Sequence, residues 1–373
     1  MTRRLPKRDV VIVGMGWTGA IMAQELTEAG LDVLALERGV WRNTSTDYAV
    51  TNAQDEVRYR YRHALFESLQ RETLTFRNNT NEKALPMRRL GSFLPGTNVG
   101  GSGVHWNGVT WRFLPSDFLA RSHNEERYGP LPDTMTVQDW GVTYEDLEPH
   151  YRTFEELCGI GGKAGNLNGR IEPGGNPFEG ARSSEYPNPP MDMVYAPMLF
   201  ANAASELGYA PFPAPSANMS RAYTNPLGVS LAPCTYCGFC EKFACGNYSK
   251  ATAETTILPV LMRKPNFTLR TEAMVLRVLK SRDGRRATGV EYISPEGEIF
   301  EQPADIVILA AYINHNVHLL LVSQIGEPYN PETGRGLVGK NYAYQTMSGV
   351  DLFYDDDTNF NPFIGGRCAR HGD

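Results

Sequence analysis

No run of eighteen uninterrupted apolar residues occurs in the 373-residue chain, so no transmembrane helix is expected. A basic excess is also missing. Lys and Arg number 36 against 42 Asp and Glu, for a net charge of −6, and nothing favours electrostatic nucleic-acid binding. The opening MTRRLPKRDVVIVG lacks a separate apolar segment and small-residue cleavage site, and Arg3-Arg4 alone falls short of a twin-arginine signal. Export or membrane association, if it occurs, is expected to depend on a partner. Cysteine is scarce as well: six in a chain of this length do not make a disulfide scaffold. Internal repeats and low-complexity tracts are absent.

Glycine, by contrast, is plentiful, with 36 residues, and the length suits one large domain or two ordinary ones. Asp9–Val13 (DVVIV) has the continuous apolar character of a buried parallel strand. GMGWTG follows, then a helix expected over Ala20–Ala29 with Gly30 as its C-cap, then a strand over Leu31–Leu36. Gly14, Gly16 and Gly19 thus occupy G-x-G-x-x-G between strand and helix. The first permits a tight turn, the second lets backbone approach a pyrophosphate, and the third lets helix and strand pack closely. Phosphate oxygens would meet backbone N–H groups at the positive end of the helix. Glu37 ends the second strand eighteen residues after Gly19, where a carboxylate can accept hydrogen bonds from an adenosine ribose. A nucleotide site is expected here.

The second glycine-dense run is Gly96–Gly108, GTNVGGSGVHWNG, which brings backbone amides against a flat or anionic ligand. The third feature is PCTYCGFCEKFACGNYSKAT, with Cys234, Cys237, Cys240 and Cys245 inside twelve residues. Such spacing suits an iron–sulfur cluster. Structural zinc usually places its cysteine pairs further apart, and two strained, redox-active disulfides are a further alternative. Tyr236, Phe239 and Phe243 flank the cysteines and are expected chiefly to pack. Cys158 follows the helical run YRTFEEL and is expected to be a buried apolar residue, while Cys368 stands alone.

Between these motifs, Thr44–Arg89 reads as helix and covering loop, and Leu114–Pro233 is proline-rich with helices near Tyr144–Cys158 and Met193–Leu207. Phe267–Arg270, Ala273–Leu279 and Thr288–Ile293 alternate like antiparallel strands, with a turn at Arg282-Asp283-Gly284. Ala304–Ala310 reads as a buried strand and Asn316–Val322 as a helix, near which His315 and His318 are expected to pack or cap.

On G-x-G-x-x-G, the Gly-Gly-Ser loop at Gly100-Gly101-Ser102 and AAYINHNVHLLLVSQIG (Ala310–Gly326), the chain resembles the glucose–methanol–choline (GMC) family of flavin oxidoreductases. Gln324 stands where that family has glycine, and its usual Ser/Thr-Pro is missing. The cysteine run is similar to that of one branch, the flavoprotein subunits of membrane-associated gluconate, 2-ketogluconate, sorbitol and fructose dehydrogenases. The resemblance implies an α/β fold, with a Rossmann-like FAD-binding domain and an inserted, incomplete substrate domain. It divides the chain into 1–113 and 234–325 for the FAD-binding part and cysteine cluster, 114–233 for a substrate-side insertion, and 326–373 for a substrate-domain start. The implied FAD set is Gly14, Gly16, Gly19, Glu37, Arg38, Gly100, Gly101, Ser102, His105, Trp106, Asn107 and Val275, with His105 placed for a covalent link to the flavin 8α-methyl. The implied metal centre is 3Fe–4S, which needs only three of the four cysteines.

The implied activity is oxidation of a CH–OH group of a sugar, sugar acid or polyol. Electrons would pass from FAD through the cluster to a cytochrome c partner, with a small subunit alongside, at the periplasmic face of the inner membrane. In this family the proton-accepting histidine and its Asn or His neighbour lie far C-terminal. The similarity fades after FNPFIGG, the tail RCARHGD resembles nothing in the family, and His371 within it is not expected to catalyse. The catalytic residues are therefore unassigned, and the alternative is a truncated, catalytically incompetent fragment that at most binds FAD or a partner subunit.

Overall fold

A computed structural model of the chain describes residues 2–48, 62–68, 75–77, 81–86, 94–133, 135–343, 352–355, 357–360 and 371–372. Two compact units emerge: Met1–Trp106 with Phe243–Gly246 and Thr252–Lys340, and Asn107–Lys242 with Asn247–Ala251 and Asn341–Asp373. Among the described residues no helix is long and apolar enough to cross a membrane.

The first unit is built on a seven-stranded mixed sheet. Its strands are β1 (Arg3–Arg4), β2 (Arg8–Val13), β3 (Val33–Leu36), β4 (Phe267–Arg270), β5 (Met274–Lys280), β6 (Ala287–Ile293) and β7 (Ile299–Leu309). The order is β4-β3-β2-β7-β6-β5, with β1 pairing onto β7. Strands β4, β3, β2 and β7 run parallel, while β7, β6 and β5 form an antiparallel meander. Residues 10–13 of β2 are buried on both faces, as its unbroken Val/Ile run demands of a central parallel strand. Val11, Val13, Leu34, Leu36, Val290 and Tyr292 share one core cluster with Leu319. Each aliphatic side chain so buried stabilises the fold by about 1.5–3 kcal/mol relative to exposure.

The expected first helix forms at Trp17–Glu28, starting earlier than expected because Gly16 itself is its N-cap, and Gly30 follows it at φ +85°. The helix after β7 spans Ile313–Val322. The turn at Arg282-Asp283-Gly284 joins β5 to β6, with Gly284 at φ +71° and its N–H on the Ser281 carbonyl 2.8 Å away. One orientation differs from expectation: Phe267–Arg270 pairs parallel to β3, not antiparallel to β5. Its Phe-Thr-Leu-Arg sequence alternates apolar and polar residues like an antiparallel strand, although at this edge of the sheet only Phe267 is buried. Strand β7 extends further back than its apolar run because Ile299–Pro303 pairs with β6 and only Ala304–Leu309 with β2. It is also less covered than expected, Ile306 being 46% exposed.

The second unit has little sheet and two main helices, Tyr144–Cys158 and Tyr195–Glu206. Thr143 caps the first, its hydroxyl accepting the Asp146 N–H at 3.2 Å while the Asp146 carboxylate reaches back to the Thr143 N–H at 2.9 Å. Gly159 ends it in a left-handed conformation. Most of the expected helix and covering loop at Thr44–Arg89 lies outside the described residues, as does Cys368.

Candidate functional site

The three glycines of the first turn meet different demands. Gly14 sits at φ +95°, and a Cβ there would lie 2.6 Å from the Ala310 carbonyl oxygen. A Cβ on Gly19 would lie 2.1 Å from the Gly14 carbonyl oxygen, so this glycine lets the helix close onto the turn. Gly16 is different. Its φ is −81°, and an added Cβ would meet only the Gly100 carbonyl oxygen, 3.9 Å away. Space is thus left open in front of the helix N-terminus, and no side chain caps the helix. That is the arrangement an anionic phosphate needs, since backbone dipoles and N–H groups are then available to it.

The second glycine loop forms the other wall. Gly100 and Gly101 hold φ of +91° and +57°, conformations that favour glycine, and open the short helical turn Gly101–Val104. Gly100 N–H donates to the Met15 carbonyl at 2.7 Å, and a Cβ on Gly101 would come within 3.4 Å of the Gly16 Cα. Two loops more than eighty residues apart in sequence are therefore pressed together. The Ser102 hydroxyl accepts the Gly96 N–H at 3.0 Å, closing this loop on itself.

Glu37 is buried at the base of the first turn. Its two oxygens accept the Met15 and Gly39 N–H groups, each at 2.8 Å. Burial pushes its carboxyl above the ordinary range, opposed by those hydrogen bonds. The expected ribose acceptor is thus first a brace for the turn. Arg38 donates to Glu67 at 2.9 Å, and the His315 Nε2 lies 3.2 Å from Arg38 Nη2 and 3.1 Å from Glu67 Oε2. His315, expected to pack or cap, belongs to this polar cluster. Ala273 N–H donates to the Glu37 carbonyl and Glu272 N–H to that of Gly39, which brings the strand of Val275 to the same end of the sheet. Val275 itself is part of the aliphatic core cluster.

His105 is 5% exposed, with Nε2 2.8 Å from the Leu94 carbonyl and its ring edge-on to Phe66 at 4.8 Å. Trp106 stands edge-on to Trp17, the first residue of the nucleotide-turn helix, at 5.7 Å. Asn107 belongs to the second unit, where its Oδ1 accepts the Val109 N–H at 3.0 Å.

The cysteines behave differently. Among the described residues no group of three or more His, Cys, Asp or Glu side chains is arranged to hold a metal ion. Cys234, Cys237 and Cys240 lie in the second unit and Cys245 in the first. Cys240 and Met191 form a buried cluster on which Cys234 and Tyr236 pack, and the Cys240 thiol faces the Asn218 Oδ1 at 3.8 Å. Phe239 and Phe243 are buried, as expected of packing residues. Cys158 is fully buried with its thiol pushed well up by burial, which suits the inert apolar role expected of it.

Two features carry no local sequence signal. One is the buried ion network of the second unit. Glu155 accepts both Arg112 Nε and Nη2 at 2.8 Å, and takes Arg182 Nη2 at 2.5 Å. The other is Glu254, buried behind Gly100.

Residues 200–347 match the family model "GMC oxidoreductase". The chain is 48% identical over 374 residues to the gluconate 2-dehydrogenase flavoprotein of Pantoea cypripedii, covering 99% of this chain and 61% of that protein. It is 30% identical to the 6'''-hydroxyparomomycin C oxidase of Streptomyces lividus, over 95% of this chain and 59% of that one. Identity to the fructose dehydrogenase large subunit of Gluconobacter japonicus is 24%, over 91% and 59%. The chain therefore spans about three fifths of the length of these relatives. With the paired glycine loops on a Rossmann-like sheet and these similarities, the chain carries a GMC oxidoreductase domain.

Proposed function

We propose that this chain is the FAD-holding part of a dehydrogenase flavoprotein that oxidises a CH–OH group of a sugar acid, with sugars and polyols as neighbouring substrate classes. The observation that carries the reading is the open space at Gly16, walled by Gly101, in a chain 48% identical to a gluconate 2-dehydrogenase flavoprotein. When bound, FAD would supply the acceptor for the substrate's hydride. Gly16 and the first turn of the Trp17–Glu28 helix would hold the pyrophosphate, and Glu37 would brace the turn while its remaining lone pairs meet the ribose. Gly100, Gly101 and Ser102 would line the flavin with backbone. His105 would anchor it covalently, with Trp106 and Asn107 beside it and Val275 at the adenosine end.

The proposal extends to electron exit. The spacing of Cys234, Cys237, Cys240 and Cys245 supports an iron–sulfur centre in the assembled enzyme, and the "large subunit" among the relatives supports partner subunits; a cytochrome c among them, at the periplasmic membrane face, is part of the proposal. The four-segment division at 113, 233 and 325 remains the proposed domain plan. The proton acceptor is assigned to none of the described residues. Enzyme-like dye reduction by the 373-residue chain would place the base within it.

The test of the cofactor reading uses two glycines. Gly16→Ala meets no atom closer than 3.9 Å and needs no unusual φ, so folding should be unchanged while the methyl group blocks the phosphate and flavin retention is lost. Gly19→Ala, against a carbonyl at 2.1 Å, should lose fold and flavin together. A Gly16→Ala chain that keeps its flavin overturns the proposed cradle.

A further inference from the structure

Glu254 stands in the single helical turn Ala253–Thr256, fixed by Thr252, whose hydroxyl accepts the Thr255 N–H at 3.2 Å. It is 7% exposed. Its side chain lies against the back of the second glycine loop: a Cβ on Gly100 would come 3.2 Å from the Glu254 Cγ and 3.6 Å from its Cδ. The next residue, Gly101, is the one that faces Gly16. One backbone link thus separates a buried carboxyl from the gap assigned to the pyrophosphate.

The surroundings of this carboxyl, a Tyr48 hydrogen bond and the more distant Arg42, offset a negative charge only in part. Its Oε1 is buried without a hydrogen-bond partner among the described residues. The ionisable groups facing it are Tyr48, Arg42 and Asp47. Arg42 already donates to the Asn98 Oδ1 at 2.6 Å and the Ala64 carbonyl at 3.3 Å, and Asp47 accepts the Asn43 N–H at 2.6 Å. Neither arginine nor lysine forms an ion pair with Glu254 among the described residues. A buried carboxylate without such a partner is unfavourable, so the group keeps its proton. Burial pushes its pKa up to about 8, with Tyr48 and Arg42 opposing and Asp47 adding to the rise.

We propose that Glu254 sets the affinity of the cradle for FAD through its own proton: the neutral carboxyl admits the dianionic pyrophosphate, and the ionised one repels it. This deepens the FAD reading and rests on it. The balance is simple. Above its pKa the free protein carries the Glu254 carboxylate, and binding of FAD takes one proton from solvent onto that oxygen, with no redox change. In the low-dielectric interior a charge one residue behind the phosphate is poorly screened. Linkage then requires that the FAD dissociation constant rise by up to about tenfold per pH unit above the pKa.

The experiment is a fluorescence titration of the apo full-length chain with FAD from pH 6 to 9.5, in a His105→Ala background that keeps the flavin exchangeable. The dissociation constant should be flat to near pH 7.5 and then climb at least tenfold by pH 9.5. Glu254→Gln, and Glu254→Ala as a second neutral replacement, should abolish the climb. Calorimetry at pH 8.5 in buffers of different ionisation enthalpy should show proton uptake on binding that both variants lack. A flat profile in the parent chain, or the same climb in both neutral variants, overturns the role of Glu254. Absence of FAD binding at every pH in every variant overturns the FAD reading itself, and this proposal with it.

Discussion

The two units are held together by opposite means. In the first, Val11, Leu34, Leu36 and Val290 fill the centre of a sheet with aliphatic side chains. In the second, the last turn of the Tyr144–Cys158 helix carries Glu155, 2% exposed, clasped by Arg112 and by a fully buried Arg182. The Arg182 guanidinium also lies 3.7 Å from the centroid of the Tyr186 ring. Arg112 reaches the Tyr144 hydroxyl at 3.0 Å and Glu148 at 3.2 Å, and is held firmly protonated by Glu155 against the cost of burial. The difference is one of composition. A unit with many prolines and few strands cannot cover itself with an aliphatic sheet, so directional charge-assisted bonds fix loops that packing alone would leave loose. An aliphatic core loses stability in proportion to what is removed. An ionic core fails when one partner goes, because the remaining charges stay buried.

The largest expected effect follows from that asymmetry. Glu155→Ala leaves two guanidinium groups without their shared carboxylate and should cost about 3–5 kcal/mol, read as a lower urea midpoint for the second unit. Replacing the set together, by Arg112→Met, Glu155→Leu and Arg182→Met, should restore most of that loss. If the triple variant is as unstable as the single one, geometry rather than buried charge governs this core. Leu34→Ala, at 1% exposure, should cost about 2–5 kcal/mol and act on the first unit only. A loss that spreads equally to both transitions would break the comparison.

A smaller effect concerns pH. Glu254 has a raised folded-state pKa, so between about 4.5 and about 8 the folded chain holds a proton that the unfolded chain has released. Stability contributed by this group is therefore greatest at the acid end and falls as pH rises through that window, then levels off. Thermal unfolding of Glu254→Gln across the same range should show a shallower decline than the parent chain. The smallest effect is at the surface: Arg277 pairs with Glu291 at 3.1 Å but is 55% exposed, and Arg277→Ala should change stability by less than about 1 kcal/mol.

What was legible in the sequence was local. The glycine spacing, the Val/Ile run of β2 and the Tyr144–Cys158 helix announce themselves within a few residues, and the structure has them where expected. The parallel pairing of Phe267–Arg270 was not, because its partner Val33–Leu36 lies more than 230 residues away and its alternation of apolar and polar residues mimics an antiparallel pattern. Arg112, Glu155 and Arg182 are separated by 43 and 27 residues with no shared spacing, so nothing marks them as one cluster. Glu254 looks like a solvent-facing glutamate until Gly100 is found against it. The cysteine spacing is visible at once, whereas the burial of Cys240 with Met191, and the packing of Cys234 on them, is not.

Strand β7 sets a schedule for making the protein. Its Ala304 pairs with Arg8 of β2, so the strand that completes the nucleotide half of the sheet is synthesised nearly 300 residues after the strand it joins. At roughly 5–20 residues per second, β2 waits about 15–60 s on the ribosome with one flank unpaired. During that interval a Val-Val-Ile-Val segment is open to any other strand that meets it. The yield of soluble chain should therefore depend on translation speed and chaperone supply more than on the stability of the finished fold.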